Sequence, residues 1–313
     1  MTSPEVRRGP LDDDTAAQVR RLAAAAESVD GVAPLSEQPL LHLTAAAPTV
    51  HLLARGSDGA REGDGALDGY AQLDLDAPGT ASAELVVAPG ARRRGLGRLL
   101  LDGARTHAVE DRTGDPAGRR FTVWAHGDLP PARALASGAG LSVVRELWRM
   151  GVDLTALPAD GERRPPRGIE IRTFEVGRDE EPWRRVNARA FAGHPEQGRI
   201  SRADLDARIA EPWFDPAGFL LAERDGVLLG SVWTKVHPAR GDEDAVGEIY
   251  VVGVDPDAQG LGLGGALTWR GLEHLRGLGL RRAMLYTEGD NEVAIRAYSR
   301  AGFGRTGVDV QFG

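Results

Sequence analysis

Two stretches decide the reading of this chain: Glu84–Leu101, ELVVAPGARRRGLGRLLL, and Val251–Gly265, VVGVDPDAQGLGLGG. Each passes from a short β-branched run through a proline turn to a Gly-x-Gly step and then into an apolar helical pattern, the order of a strand, a loop and a helix. Arg92-Arg93-Arg94-Gly95-Leu96-Gly97 and Gln259-Gly260-Leu261-Gly262-Leu263-Gly264 both fit [RQ]-x-x-G-x-G. Glycines there let a ligand approach the backbone, and the free N–H groups and positive end of the following helix suit a pyrophosphate. A P-loop would need Gly-Lys-[Ser/Thr] after the glycines, which neither copy has. A dinucleotide fingerprint is formally present at Gly260, Gly262 and Gly265, but the first copy has Leu100 in the place of its third glycine. A tight strand-to-helix turn with no ligand is the remaining use of such glycines.

Working outward, a second pair of segments repeats in the same order. Phe121–Leu141, FTVWAHGDLPPARALASGAGL, aligns without a gap on Ala283–Phe303, AMLYTEGDNEVAIRAYSRAGF, with identities at Gly127/Gly289, Asp128/Asp290, Ala132/Ala294, Ser137/Ser299, Ala139/Ala301 and Gly140/Gly302. Between the halves lies LPADGERRPPRG, residues 157–168, whose paired prolines, glycines and charges read as a linker. The expected organisation is therefore a tandem duplication: 1–156, a linker over 157–168, and 169–313. In each half a helix (Thr15–Ser28; Glu180–Ala190) precedes strands at Val50–Ala54 and Tyr70–Leu75, or Gly218–Glu223 and Leu228–Val236. The glycine-flanked strands (Leu85–Ala88; Glu248–Val254) and their helices follow, the first helix with Leu96, Leu99, Leu100, Ala104 and Ala108 as its apolar face. A further strand (Arg120–His126; Arg282–Thr287) leads to a short helix ending at Gly140 or Gly302. The fold class is α/β, twice: a central sheet flanked by helices.

Composition narrows the chemistry. The chain has 313 residues, 42% hydrophobic and 27% charged, the balance of a globular protein with room for two domains. The absence of cysteine excludes disulfides, thiolate metal sites and a cysteine nucleophile. A net charge of −8 argues against nucleic-acid binding, and no His/Asp/Glu spacing suggests a metal site. Residues 1–15 are polar and carry Asp12, Asp13 and Asp14, unlike a signal peptide, and no apolar run reaches the ~18 residues of a membrane span. A cytoplasmic location is expected. Of the 38 basic residues only Lys235 is a lysine, the mark of a GC-rich genome.

The glycine step after a strand, followed by Asn291-x-x-Ala294-x-x-x-Tyr298-x-x-x-Gly302-Phe303, resembles the acetyl-CoA signature of the GCN5-related N-acetyltransferase (GNAT) family. Four strings carry the resemblance further, to tandem-domain members of that family: Glu37 within PLSEQPLL, FAGHPEQG at 191–198, WTKVHP at 233–238 and EIYVVGV at 248–254. It implies two tandem GNAT domains, acetyl-CoA as the acetyl donor, no metal, and a monomer acting on a small molecule. The implied acceptor is cysteinyl-glucosaminyl-inositol, acetylated on its cysteine amine. Carried over residue by residue, the acceptor-binding positions are Glu37, Glu196, Lys235, Glu248 and Tyr286. The acetyl-CoA positions are Leu85, Val86, Val87 and Arg92 to Gly97 in the first half. In the second they are Val252, Gly253, Val254, Gln259, Gly260, Leu261, Gly262, Leu263, Gly264, Gly265, Asn291, Glu292, Val293, Ala294, Ile295 and Arg296. Alternatives left open are a tandem GNAT acting on another small amine or a protein N-terminus, and a non-catalytic acetyl-CoA-binding regulator.

Acetyl transfer to an amine needs a base for the amine proton and a proton for the departing thiolate. Glu248 begins the strand whose Val252–Val254 backbone would face the thioester, which suits it as the base, directly or through water. Tyr298, seven residues after Asn291, suits the acid. Aligning the two halves on their glycine loops puts Ala81 opposite Glu248, and the downstream blocks put Ala136 opposite Tyr298, so the first half is expected to be catalytically silent. The second loop lacks the arginines of the first, which predicts weaker acetyl-CoA binding there or reliance on Arg296.

Overall fold

The computed structural model describes residues 3–55, 66–77, 79–110, 119–158, 165–193, 197–239 and 244–313. Two compact units emerge, Met1–Glu146 with Val308–Gly313, and Leu147–Gly307. The first unit carries β1 (Glu5–Arg8), α1 (Asp13–Asp30), α2 (Glu37–Leu41), β2 (Thr49–Ala54), β3 (Gly69–Asp74), β4 (Thr80–Val87), α3 (Leu96–Glu110), β5 (Arg120–Ala125) and α4 (Pro130–Gly138). After β6 (Val143–Asp153), the second carries β7 (Glu170–Thr173), α5 (Glu180–Ala190), α6 (Arg202–Ile209), β8 (Phe219–Arg224), β9 (Val227–His237), β10 (Val246–Val254), α7 (Leu263–Gly277), β11 (Arg282–Glu288) and α8 (Glu292–Arg300), with β12 (Gly304–Phe312) last.

Both unit boundaries fall inside strands, β6 and β12, rather than at the breaker-rich 157–168 segment, of which 159–164 lie outside the described residues. The reason is pairing and burial. Val310 and Phe312 pair with β5 and are buried in the first unit's core beside Val123, although the sequence reading placed them in 169–313. Met150, Val152 and Leu154 are buried in the second unit's core, although they precede the linker. Proline and glycine mark where the chain turns freely, not which sheet a flanking strand completes.

Within each unit the strands repeat one topology. In the first, β1 to β4 are antiparallel neighbours in chain order and β4 runs parallel to β5. In the second, β7 to β10 are antiparallel neighbours, β10 runs parallel to β11, and β6 closes the other side of β11. The parallel step is where a helix must cross over, and α3 and α7 make those crossings. Helix α1 starts where Asp12 accepts from the Thr15 N–H and stops at Gly31 in the left-handed region (φ 69°). The buried face of α3 is Leu100, Leu101, Ala104 and Ala108; Leu99, expected there, is only half-buried, and Leu101 takes its place. Residues β1, α2, β6, β7, α6 and β12 had no counterpart in the sequence reading.

Candidate active site

Each parallel pair separates partway along, and the separation creates the candidate site. In the second unit β10 and β11 pair only over Gly247–Ile249 and Ala283–Leu285; beyond these, β10 stays bonded to β9 while its other edge, at Tyr250 to Val254, is without β11 as a partner. The β9–β10 register shifts between Ile249 and Val251, a bulge that adds Tyr250 to the strand where the separation begins. Val252, Gly253 and Val254 thus lie along an open backbone edge. Phe191, at the end of α5, covers Gly253 so closely that a Cβ there would sit 2.9 Å from its ring.

Alternation along the strands sorts the side chains onto two faces. Ile249, Ala283 and Leu285 turn towards α7, in a core shared with Leu267, Leu272 and Phe303. Glu248 turns to the other face, with Lys235 opposite it on β9 and Met284 beside it on β11. Residues two positions on, His237 and Tyr286, share that face. Glu248 is buried, and its Oε2 accepts from His237 Nε2 at 2.6 Å. The Lys235 ammonium lies 4.3 Å from the centre of the Trp213 ring and 5.2 Å from that of Tyr250, a cation–π seat on an interior strand. The Tyr250 hydroxyl in turn accepts from Arg208 Nε of α6 at 2.8 Å. Tyr286 is exposed.

Tyr298 lies on the α7 side of the sheet, half-buried against that core and edge-on to Phe303. Burial pushes its phenol up to about 12. The proposed base and acid therefore occupy opposite faces, with the separation of β10 from β11 between them.

The second glycine loop is shaped for an anion. Gly260 and Gly262 both have φ 79°, Gly262 caps α7 without a side chain, and added Cβ atoms at Gly260, Gly262 and Gly265 would meet nothing within 4 Å. Leu263 to Gly265 thus open the helix with N–H groups that lack intrahelical partners. Asn291 spends its side chain capping α8, its Oδ1 accepting from the Ala294 N–H, while Arg296 pairs with Glu292 at 2.8 Å. Asp255 and Asp257 precede the loop and pair with Arg189, which holds the Asp255 carboxyl below its usual range in spite of its partial desolvation. In the first loop the polarity is reversed: Arg92 bonds Asp30 at the end of α1 through both Nη atoms and Val87 O through Nε. Its guanidinium is thereby engaged by protein, and Arg93 (φ 63°) and Arg94 are the exposed cations of that loop.

Strand register refines the comparison between the halves. The β4–β5 pairing ends at Ala83–Val123, and Ser82, not Ala81, takes the place of Glu248, because the bulge at Tyr250 offsets the glycine-loop alignment by one residue. A carboxylate does lie just past that point: buried Glu84, one pleat further on. Its oxygens accept from Ser36 N and Ser36 Oγ, each at 2.7 Å, and His126 Nε2 stands 3.2 Å away. His126 Nδ1 donates to Asp309 at 3.2 Å. Burial disfavours the imidazolium, but Glu84 and Asp309 outweigh it and push His126 up to about 10. Glu37 follows Ser36 as the first residue of α2 and is half-buried. Glu196 lies outside the described residues, as do His194 and Pro195; Gln197 of the same string is tied back to α5, its carbonyl accepting from Asn187 Nδ2 at 2.7 Å. Sequence reasoning assigned no role to His237; its signal was the spacing Lys235-x-His237, which on a strand puts both on one face. No cluster of metal-ligating side chains occurs among the described residues.

Comparison with known proteins identifies the family and the fold. A family profile described as "Acetyltransferase (GNAT) family" matches residues 183–303. The mycothiol acetyltransferase of Cellulomonas flavigena is 59% identical, covering 100% of this chain and 89% of that protein. That of Sanguibacter keddieii is 56% identical over 98% of this chain and 95% of its own length. Among solved structures, a GCN5-related N-acetyltransferase from Sphaerobacter thermophilus superposes with TM-score 0.68 at 25% identity, covering 99% of this chain and 96% of that one. A tandem GNAT protein from the clavulanic acid biosynthesis pathway has TM-score 0.68 at 23% identity, with 98% of each chain covered, and shares the fold.

Proposed function

The chain belongs to the mycothiol acetyltransferases, tandem members of the GNAT family, and we propose that its second unit performs the transfer while the first is catalytically silent. The activity is acetyl-CoA-dependent acyl transfer in mycothiol biosynthesis. The acceptor we assign is the cysteine amine of cysteinyl-glucosaminyl-inositol. Acetyl-CoA supplies an acetyl carbon activated as a thioester. For its binding, the open edge of Val252–Val254 offers backbone groups to the acyl end, and the N–H groups from Leu263 to Gly265 suit its pyrophosphate. Arg296, already paired with Glu292, and the two aspartates before the loop make this a weaker anion site than three arginines would suggest.

The observation that carries the reading is Glu248: a buried carboxylate at the last paired turn of a separating parallel pair, facing Lys235, His237 and Tyr286. Glu248 accepts the amine proton, directly or through water, so the nitrogen lone pair can attack. Tyr298, a phenol protonated at neutral pH, holds the proton that the thiolate takes on the opposite face. Lys235, Tyr286 and Glu196 orient the hydroxyl-rich acceptor; Glu37 is carried over as an acceptor-binding position from the family resemblance alone. In the first unit Ser82 stands at the base position and Ala136 at the acid position, and Glu84 has its oxygens occupied by Ser36. Arg93, Arg94 and the amides from Gly95 onward keep an anion-binding loop there.

Mass spectrometry of cysteinyl-glucosaminyl-inositol after incubation with acetyl-CoA and the full chain tests the assignment. An acetyl group that survives hydroxylamine, and is therefore on nitrogen rather than sulfur, supports it. Acetyl-CoA bound with no acetylated product leaves a GNAT for another amine or a sensor of acetyl-CoA.

A further inference from the structure

We propose that His237 is the positioning residue for Glu248: its Nε2–H fixes one carboxylate oxygen so that the other is presented to the acceptor amine. This rests on the reading of Glu248 as the base. The contact is a single hydrogen bond, His237 Nε2 to Glu248 Oε2 at 2.6 Å, across the antiparallel β9–β10 pair. A carboxylate only accepts, so with Glu248 ionised the proton lies on Nε2 of the imidazole. The burial of the two partners is unequal. The His237 side chain is 38% exposed and that of Glu248 8%, so the histidine stands between a desolvated anion and water. A carboxylate in that setting with Oε2 unbonded would be free to rotate away from the acceptor, which removes the base.

Among the described residues, no other side-chain donor is bonded to Glu248. On Glu248's face β9 contributes Lys235 and His237, β11 contributes Tyr286, and Arg208 of α6 arrives through the Tyr250 hydroxyl. Lys235 has its ammonium over the Trp213 and Tyr250 rings, and Arg208 bonds the phenol. Orientation of Oε2 thus falls to His237, and Oε1 is left for the amine or the water in front of it. The histidine neither gains nor loses a proton in the cycle: Glu248 takes the amine proton on Oε1 and returns it to solvent once the amide product has left.

Three substitutions separate this role from a structural one. Glutamine places an amide N–H where Nε2 stood, asparagine places one where Nδ1 stood, and phenylalanine places none. His237→Phe and His237→Asn are expected to lower kcat about ten- to a hundredfold, the range for losing a hydrogen bond to a charged group. The KM for acetyl-CoA stays within about twofold, because the bond lies at the base and not along the donor site. His237→Gln is expected to restore kcat to within about threefold of wild type. Equal kcat in all three variants overturns the inference. Glu248→Gln is measured alongside: if it is inactive while His237→Phe is normal, only the positioning role fails; if Glu248→Gln is itself fully active, the assignment of the base fails with it.

Discussion

The partly buried, charged histidine of the first unit makes a demanding prediction about stability. His126 lies between Glu84 and Asp309, and Asp309 also accepts from the Gly127 N–H at 2.7 Å. Its pKa, about 10 when folded against an ordinary 6.5, is raised, so the stabilisation is complete below about pH 6.5 and is lost as pH rises through about 10. At 1.36 kcal/mol per pH unit the difference sets an upper bound of ~5 kcal/mol. Removing one partner from a buried ion pair costs ~3–5 kcal/mol, the same order. The perturbation is His126→Gln, which leaves buried Glu84 and partly buried Asp309 facing a neutral amide. Native-state hydrogen exchange read by mass spectrometry on peptides from β4 and β5 reports this unit separately from β10 and β11. Wild type is expected to lose most of that free energy between pH 6.5 and 10, after correction for intrinsic exchange. The variant should begin ~3 kcal/mol lower at pH 6.5 and change little with pH, with β10 and β11 unaffected. A variant within ~1 kcal/mol of wild type at pH 6.5 would refute the reasoning, because the cluster would then contribute nothing net.

Three further outcomes are expected. Buried His51 is held neutral, down to about 4 chiefly by desolvation, so it stabilises above pH 6.5 and that contribution is lost as pH falls towards 4; His51→Gln should flatten this limb in urea denaturation, and an unchanged slope would count against it. Trp233, fully buried and stacked on Phe219 with centroids 4.4 Å apart, should cost ~3–5 kcal/mol as Trp233→Ala, and a loss below ~1 kcal/mol in the same assay would contradict the packing. Gly262→Val imposes a side chain on φ 79° at the start of α7, and ~1–2 kcal/mol of left-handed strain should raise the KM for acetyl-CoA about tenfold with kcat preserved; an unchanged KM would remove the loop from the donor site.

The repeat, the α/β class and the glycine loops were legible because they rest on local signals: periodicity, proline turns and Gly-x-Gly spacing. The strand that completes each sheet was not, since β6 and β12 are chosen by pairing with residues far along the chain. The one-residue offset between Ala81 and Ser82 was hidden for the same reason: a bulge at Tyr250 changes the register without changing the look of the sequence. Glu248 and Lys235 lie in the strings that carry the family resemblance and Tyr286 was carried over from that resemblance; alternation along the strands puts the three on one face. The bond from His237 was out of reach, because it depends on β9 and β10 being neighbours. So was the Ser36–Glu84–His126–Asp309 cluster, whose members lie up to 273 positions apart in sequence but meet where β4 and β5 separate.

That the second unit alone performs the transfer is tested most directly by single-turnover acetylation of cysteinyl-glucosaminyl-inositol, comparing full-length Glu248→Gln with full-length Glu84→Gln. Folding of both is verified by circular dichroism at pH 6.5. Glu248→Gln is expected to slow acetyl transfer by ~10²–10⁴-fold, the range for removing a general base, with Glu84→Gln within a few-fold of wild type. A normal rate for Glu248→Gln together with a collapsed rate for a folded Glu84→Gln would place the chemistry in the first unit and contradict the account.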